Sequence, residues 1–232
     1  KEEGVIARAI KKSLISINTW QLRDFSSNKY KNVDEKPYGG GAGMVIQVKP
    51  IRDCISKIKQ SSPNTKVIYL SPQGKKLDQN LVEELATFES ITMLCGRYEG
   101  IDERVIENDI DFEISIGDYV ISGGELAAMV VIDAISRRLP GVLGNEVSLK
   151  DSFTDNLLDF PHYTRPSKIQ EMKVPEELLT GNHEEISRWR KQESLRRTLD
   201  KRPDLLSEAL LDDEERGILD NLLSERKKGV GV

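Results

Sequence analysis

Residues 116–129 read I-G-D-Y-V-I-S-G-G-E-L-A-A-M, a glycine-bounded loop set between two segments of different periodicity. The six residues ending at Ile116 alternate and are rich in β-branched and aromatic side chains, as a buried strand should be. Residues 125–139 carry the spacing of a helix. Gly117, Gly123 and Gly124 have no Cβ, so the loop permits a tight turn and the close approach of a flat molecule. The unpaired N–H groups that open the following helix suit a carboxylate or phosphate. A sharp connection that binds nothing is the alternative reading of the same residues.

Two earlier stretches repeat the plan. Residues 66–70 (K-V-I-Y-L) predict a short strand, followed by a turn over S-P-Q-G at 71–74 and a helix over 78–88. Residues 91–95 (I-T-M-L-C) predict a strand that ends in G-R-Y-E-G at 96–100, with a helix over 102–107. Three successive strand–loop–helix units predict a parallel sheet covered by helices, with ligands at the carboxyl ends of the strands. The glycine-bearing loops all fall on that edge. Further upstream, Y-G-G-G-A-G-M at 38–44 fails the G-x-G-x-x-G pattern at its last place and lacks the Lys-Ser/Thr of a phosphate loop. Taken alone, it reads as a mobile surface loop.

After Pro140-Gly141 the apolar periodicity lapses, and residues 144–165 read as an interdomain linker. From Pro175 onward the chain is charged and leucine-rich with helical spacing, so a small all-helical domain is expected to follow over 166–232. Between Ile186 and Arg202 this domain carries seven basic residues, Arg188, Arg190, Lys191, Arg196, Arg197, Lys201 and Arg202, against Glu193 and Asp200. With Trp189 interleaved, the run fits a phosphate-backbone surface; a solvated helix face is the plainer explanation.

Composition bounds these readings. With 232 residues, 38% of them hydrophobic, the chain can bury at least one good core. No run approaches the ~20 apolar residues of a membrane span, and K-E-E-G-V-I-A-R lacks the apolar core of a signal peptide, which points to the cytoplasm and away from membranes. Cys54 and Cys95 are far apart, and His162 and His183 are the only histidines. Neither a disulfide framework nor a metal centre is expected, and carboxylates are left as the acid-base candidates. The net charge of −5 argues against broad non-specific nucleic-acid binding, though not against a local basic face.

Charges in odd places are the candidates for chemistry. Leu126, Met129, Val130, Asp133 and Arg137 share one helical stripe, so two charges interrupt an apolar face. Either Asp133 and Arg137 pair with each other at i, i+4, or Arg137 offers its rigid donor fork to a substrate oxygen. Glu99, between glycines, and Asp151, in D-S-F, are carboxylates on expected loops.

Taken together, Y-G-G-G-A-G-M, S-P-Q-G, G-R-Y-E-G-I-D-E-R, S-I-G-D-Y-V-I-S-G-G-E-L-A-A-M, D-S-F, L-L-D-F-P-H-Y-T-R-P and G-N-H-E-E-I-S-R-W-R closely resemble the bacterial tRNA (guanine-N1)-methyltransferases of the knotted SPOUT class, the TrmD family. The motifs run in order and at matching spacing from about Arg23 to Leu205. That family begins with another strand and helix before K-E-E-G, so the resemblance implies a chain that starts after them. Ala127 stands where relatives often carry proline.

The resemblance implies an α/β fold, a parallel sheet whose C-terminal part threads a deep trefoil knot, followed by the helical tRNA-binding domain. The α/β domain would span 1–143. S-adenosylmethionine would lie in the knot against Pro72, Gly96, Ile116, Gly117, Tyr119, Ile121, Gly123 and Gly124, largely through backbone groups. The acceptor would be guanosine 37 of a tRNA, preceded by another guanosine. Asp151 matches the family's general base and Arg137 the group that steadies the guanine O6, while Glu99 would position donor or guanine. Asp159, His162, Tyr163 and Arg165 would handle tRNA, with Arg188, Arg190, Arg196 and Arg197 on its backbone. The family implies a homodimer with each site built across the interface, and leaves room for Mg2+ without a dedicated protein site.

Two other classes fit parts of the chain. A nicotinamide oxidoreductase would show a complete glycine fingerprint with an acidic residue ~20 positions later, and none is present. A non-catalytic RNA-binding module would explain the basic helix but not Arg137, Glu99 and Asp151 together beside a donor loop.

Overall fold

The computed structural model describes residues 4–143 and 151–229, and the chain divides into two compact units, 1–145 and 146–232. In the first unit the helix α1 (Val5–Lys11) is followed by a short ladder of β1 (Asp34–Glu35) with β2 (Val45–Ile46), then α2 (Val48–Ser61), β3 (Lys66–Lys76), α3 (Gln79–Leu85), β4 (Ile91–Cys95), α4 (Glu103–Asp109), β5 (Phe112–Ser115) and α5 (Gly124–Arg138). The central sheet is parallel with strand order β4-β3-β5. β3 lies in the middle, and its run Val67, Ile68, Tyr69, Leu70 is buried on both faces, which is why the stretch reads as continuously apolar rather than alternating.

Each face of the sheet has its own core. On one, Val67, Tyr69 and Leu94 pack with Ile51, Ile55 and Val105 from α2 and α4. On the other, Ile68, Leu70 and Ile114 pack with Leu81, Val82 and Leu85 from α3 and with Ala127, Val131 and Ile135 from α5. The start of the sheet is fixed by polar contacts. Asp111 takes the Val67 N–H on its carboxylate at 2.8 Å, while its own N–H donates to the Val67 carbonyl at 2.8 Å. The buried Thr65 hydroxyl is satisfied by Thr92 at 2.9 Å and Ser90 at 3.1 Å.

Several expectations change. The S-P-Q-G segment is not the end of its strand: β3 pairs with β5 through Leu70 opposite Ile114, leaves the ladder, and returns with Lys75 opposite the same Ile114. The excursion contains the expected local turn, with the Gln73 N–H donating to the Ser71 hydroxyl at 3.1 Å. Gly74 makes the return possible, because a Cβ there would overlap the Glu113–Ile114 backbone. The helix expected over 78–88 begins after Asp78, whose carboxylate accepts the Leu81 N–H at 2.8 Å, and ends at Leu85. α2 carries no counterpart in the sequence reading; Pro50 sits in its first turn, where the missing N–H costs nothing.

The second unit is not all-helical. β6 (Lys168–Ile169) and β7 (Met172–Lys173) form a small antiparallel hairpin before α6 (His183–Lys201) and α7 (Asp213–Gly229). Asn182 caps α6 by accepting the Glu184 and Glu185 N–H groups. Leu195 and Leu199 of α6 meet Leu222 of α7 in a small core that Leu157 and Leu206 complete. Residues 151–160, read from sequence as linker, are tied to α6 in this unit. The Leu158 N–H donates to Thr198 Oγ1 at 2.9 Å, and Ser194 Oγ donates to the Leu158 carbonyl at 2.6 Å. Residues 144–150 of that expected linker lie outside the described residues.

Candidate active site

A cleft enclosing about 780 Å3, part of it open to solvent, lies at the carboxyl ends of β3, β4 and β5. Three pieces of chain wall it: the excursion Ser71, Pro72 and Gln73, the loop from Gly96 to Gly100, and the loop from Ile116 to Gly124. Pro72, Gly96, Ile116, Gly117, Tyr119, Ile121, Gly123 and Gly124 all line it, and so does Glu99.

The walls are held from within. The buried Ser115 hydroxyl accepts the Gly117 N–H at 3.2 Å and donates to the Gly117 carbonyl at 3.0 Å, and the Tyr119 N–H returns to the same carbonyl. Gly124 opens α5 and donates its N–H to the Gly96 carbonyl at 2.9 Å, which ties the third loop to the second. Arg97 reaches Glu125 at 2.9 Å across the same junction. Both side chains are more than half exposed, so this ion pair adds little stability. Tyr98 holds a left-handed backbone, φ 61°, which turns the second loop back so that Glu99 and Gly100 donate to the Met44 and Arg97 carbonyls.

Cys95 ends β4 beneath this loop. Burial, with help from the nearby Glu125 charge, pushes its thiol up to about 11, so at neutral pH it is protonated and a poor nucleophile. Cys54, on α2, is buried and raised to about 11 by desolvation. The cleft therefore offers backbone groups, aromatic surface and the Glu99 carboxylate rather than a covalent nucleophile. Among the described residues no three His, Cys, Asp or Glu side chains cluster as a metal cage.

The other candidates sit elsewhere. Arg137 is half-buried in the last turn of α5 and does not line the cleft. The Asp133–Arg137 pair is not formed: Asp133 is exposed and has no partner among the described residues. The apolar stripe ahead of it faces outward, with Leu126, Met129 and Val130 about half exposed, while the small residues Gly124 and Ala127 and then Val131 and Ile135 turn inward.

Asp151 is an exposed residue of the second unit, where its carbonyl accepts the Thr154 N–H at 3.3 Å. In the same unit His162 and Asp159 lie 2.8 Å apart, His162 stacks at a tilt on Phe160, and the Arg190 guanidinium lies 4.8 Å from the Phe160 ring centre. Tyr163 and Trp189 meet at 6.3 Å. Arg165 is exposed. Part of the basic run is neutralised internally: Lys191 bridges Asp212 and Glu214, Arg202 pairs with Asp204, and Arg196 lies 3.6 Å from Glu193. Arg188 and Arg197 have no such partner among the described residues.

A parallel sheet with a glycine-lined cleft beyond its strand ends defines an α/β ligand-binding protein. The lineage is narrower than that. The chain belongs to the family described as tRNA (Guanine-1)-methyltransferase TrmD, which it matches over residues 1–208. It is 54% identical to the tRNA (guanine-N(1)-)-methyltransferase of Vibrio vulnificus (strain YJ016) over 224 residues, 96% of this chain and 90% of that protein. To the protein of the same name from Klebsiella pneumoniae (strain 342) it is 55% identical over 224 residues, 96% of this chain and 88% of the relative. For Shewanella sediminis (strain HAW-EB3) the figures are 54% over 222 residues, 95% and 92%.

Proposed function

We propose that this chain transfers the methyl group of S-adenosylmethionine to N1 of guanosine 37 in a tRNA that has another guanosine before it. What carries the reading is the cleft: in a chain of this family, all eight positions matched to the donor line one cavity at the strand ends. The residues fit the donor, since backbone N–H and carbonyl groups of glycine-bearing loops suit a flat nucleoside and require no charged ligand set. When bound, the donor supplies an electrophilic methyl group on a sulfonium.

The chain's own residues do the rest. Guanine N1 holds its proton at neutral pH and is a poor nucleophile, so Asp151 acts as general base and takes that proton as the new bond forms. Negative charge then builds on O6, where Arg137 supplies fixed donors. Glu99 positions donor or guanine. Asp159, His162, Tyr163 and Arg165 handle the tRNA, and Arg188, Arg190, Arg196 and Arg197 contact its phosphates. The donor-binding part, 1–143, takes the knotted SPOUT form, a reading supported by family membership and by the hydrogen bond that ties the third loop to Gly96 just after β4. The tRNA-binding part is the second unit, in which residues 151–160 pack on α6.

The working form is a homodimer with its site across the interface. The outward stripe Leu126, Met129 and Val130 supports a partner surface on α5. The setting is the cytoplasm, where tRNA is processed; among the described residues no helix is long and apolar enough to cross a membrane. Mg2+ assists without a dedicated protein cage among the described residues.

Radiolabelled methyl transfer to two unmodified transcripts, with guanosine or adenosine at position 37, tests the reaction. Label on the guanosine transcript alone is expected; label on both, or on neither with donor binding intact, contradicts the acceptor. The basic helix has its own test. Changing Arg196 and Arg197 to alanine should weaken tRNA binding and flatten its salt dependence by about one unit of slope per lost phosphate contact, and an unchanged slope removes them from the interface.

A further inference from the structure

The glycine cluster at residues 39–43 is used by neither the fold nor the chemistry above, and its glycines are not alike. Gly39, Gly40 and Gly41 have positive φ, but a side chain built on any of them meets nothing within 4 Å. Gly43, at φ +86°, differs: a Cβ there would overlap Oε1 of Glu99 and come within 2.5 Å of its Cγ and 2.8 Å of its Cδ. The two segments run side by side. The Glu99 N–H donates to the Met44 carbonyl at 3.1 Å, the Ile46 N–H donates to the Gly100 carbonyl at 3.0 Å, and Ile46 bridges to Ile101. Backbone contacts thus fix where Glu99 starts, and Gly43 leaves the room its side chain occupies. Glu99 is exposed and its carboxylate has no hydrogen bond or ion pair among the described residues, so no polar partner holds its direction, and the space over Gly43 is what admits it along the cleft wall.

We infer that Gly43 is a positioning residue for Glu99: the absence of a side chain at Gly43 keeps the carboxylate on the cleft, and any Cβ would turn it away. The inference rests on the reading of Glu99 as a group used in the reaction. Four variants of the full chain test it, Gly43→Ala, Glu99→Ala, the double variant, and Gly41→Ala, which carries the cost of a positive φ without a neighbour to strike. Single-turnover methyl transfer at saturating donor and tRNA, donor affinity by calorimetry, and Tm are measured for each.

Gly43→Ala should lose about tenfold or more in rate, the scale of a misplaced active-site group, with donor affinity within about twofold of the parent. Gly41→Ala should keep the parental rate. The double variant should react at the rate of Glu99→Ala alone and melt above Gly43→Ala, because with Glu99 truncated the added methyl strikes nothing. A parental rate for Gly43→Ala, or a double loss equal to the product of the single losses, overturns the positioning role. A parental rate for Glu99→Ala instead overturns the role of Glu99 in the reaction, and the two failures are distinct. Should Gly43→Ala not fold, a folded double variant with the Glu99→Ala rate supports the inference, and an unfolded one overturns it.

Discussion

Asp151→Ala should lower single-turnover methyl transfer by at least ~10²-fold while leaving donor affinity nearly unchanged, the scale of a lost general base. A nitrogen that keeps its proton must shed it as the methyl arrives, and the neutral thiol of Cys95 cannot take it. Asp151 is an exposed residue of the second unit and is not among the residues that line the cleft, so its loss should not disturb donor binding there. Asp151→Asn keeps the shape and removes the basicity, and is expected to fail as badly as alanine. A parental rate for either variant would sink the assignment.

Gly124→Ala should act in the opposite way, by removing donor binding. Gly124 sits where α5 starts against the end of β4: an added Cβ would lie 2.8 Å from Cys95 Cα and 3.1 Å from the Gly96 nitrogen. These are backbone atoms and cannot swing aside. The helix start must move, which lengthens the 2.9 Å hydrogen bond from Gly124 to the Gly96 carbonyl and shifts two of the three cleft walls. Calorimetry should show donor affinity reduced by ~10²-fold or more, consistent with the sensitivity of bound ligands to displacements of about 1 Å. The variant should remain folded, because the core residues Val131 and Ile135 lie further along α5. Donor affinity equal to the parent's would mean that the cleft is not the donor site.

The fold was legible where local and distant forces agree. β4 and α5 announce themselves because an apolar run or a helical period is closed by glycines that the fold also needs for close approach. The continuation of β3 past Leu70 was hidden, since Ser71, Pro72 and Gly74 favour a turn locally and the ladder that recaptures Lys75 comes from Ile114, far along the chain. The stripe on α5 was misleading for a different reason. A helix packed close to a sheet buries small residues, here Gly124 and Ala127, and leaves Leu126, Met129 and Val130 outside, so ranking positions by size selects the wrong face. As to the candidate site, the strand-end loops that wall the cleft were legible from composition and periodicity, whereas the assignment of individual residues to a donor came only from family resemblance. The contact of Gly43 with Glu99 joins loops distant in sequence, and no local pattern encodes it.

The excursion of β3 gives the cleft walls unequal stiffness. Residues 71–74 are anchored on both sides by pairing to one residue, Ile114, so that wall cannot shift without opening the β3–β5 ladder. The facing wall carries Tyr119 and Val120 on its exposed side and is tied mainly through Gly117 and Gly124. Amide hydrogens along β3 should therefore exchange slowly with or without ligand, while those of residues 118–122 should slow sharply on donor binding. Inhibitors that exploit induced shape would then gain selectivity against the second wall, and rigid donor mimics against the first.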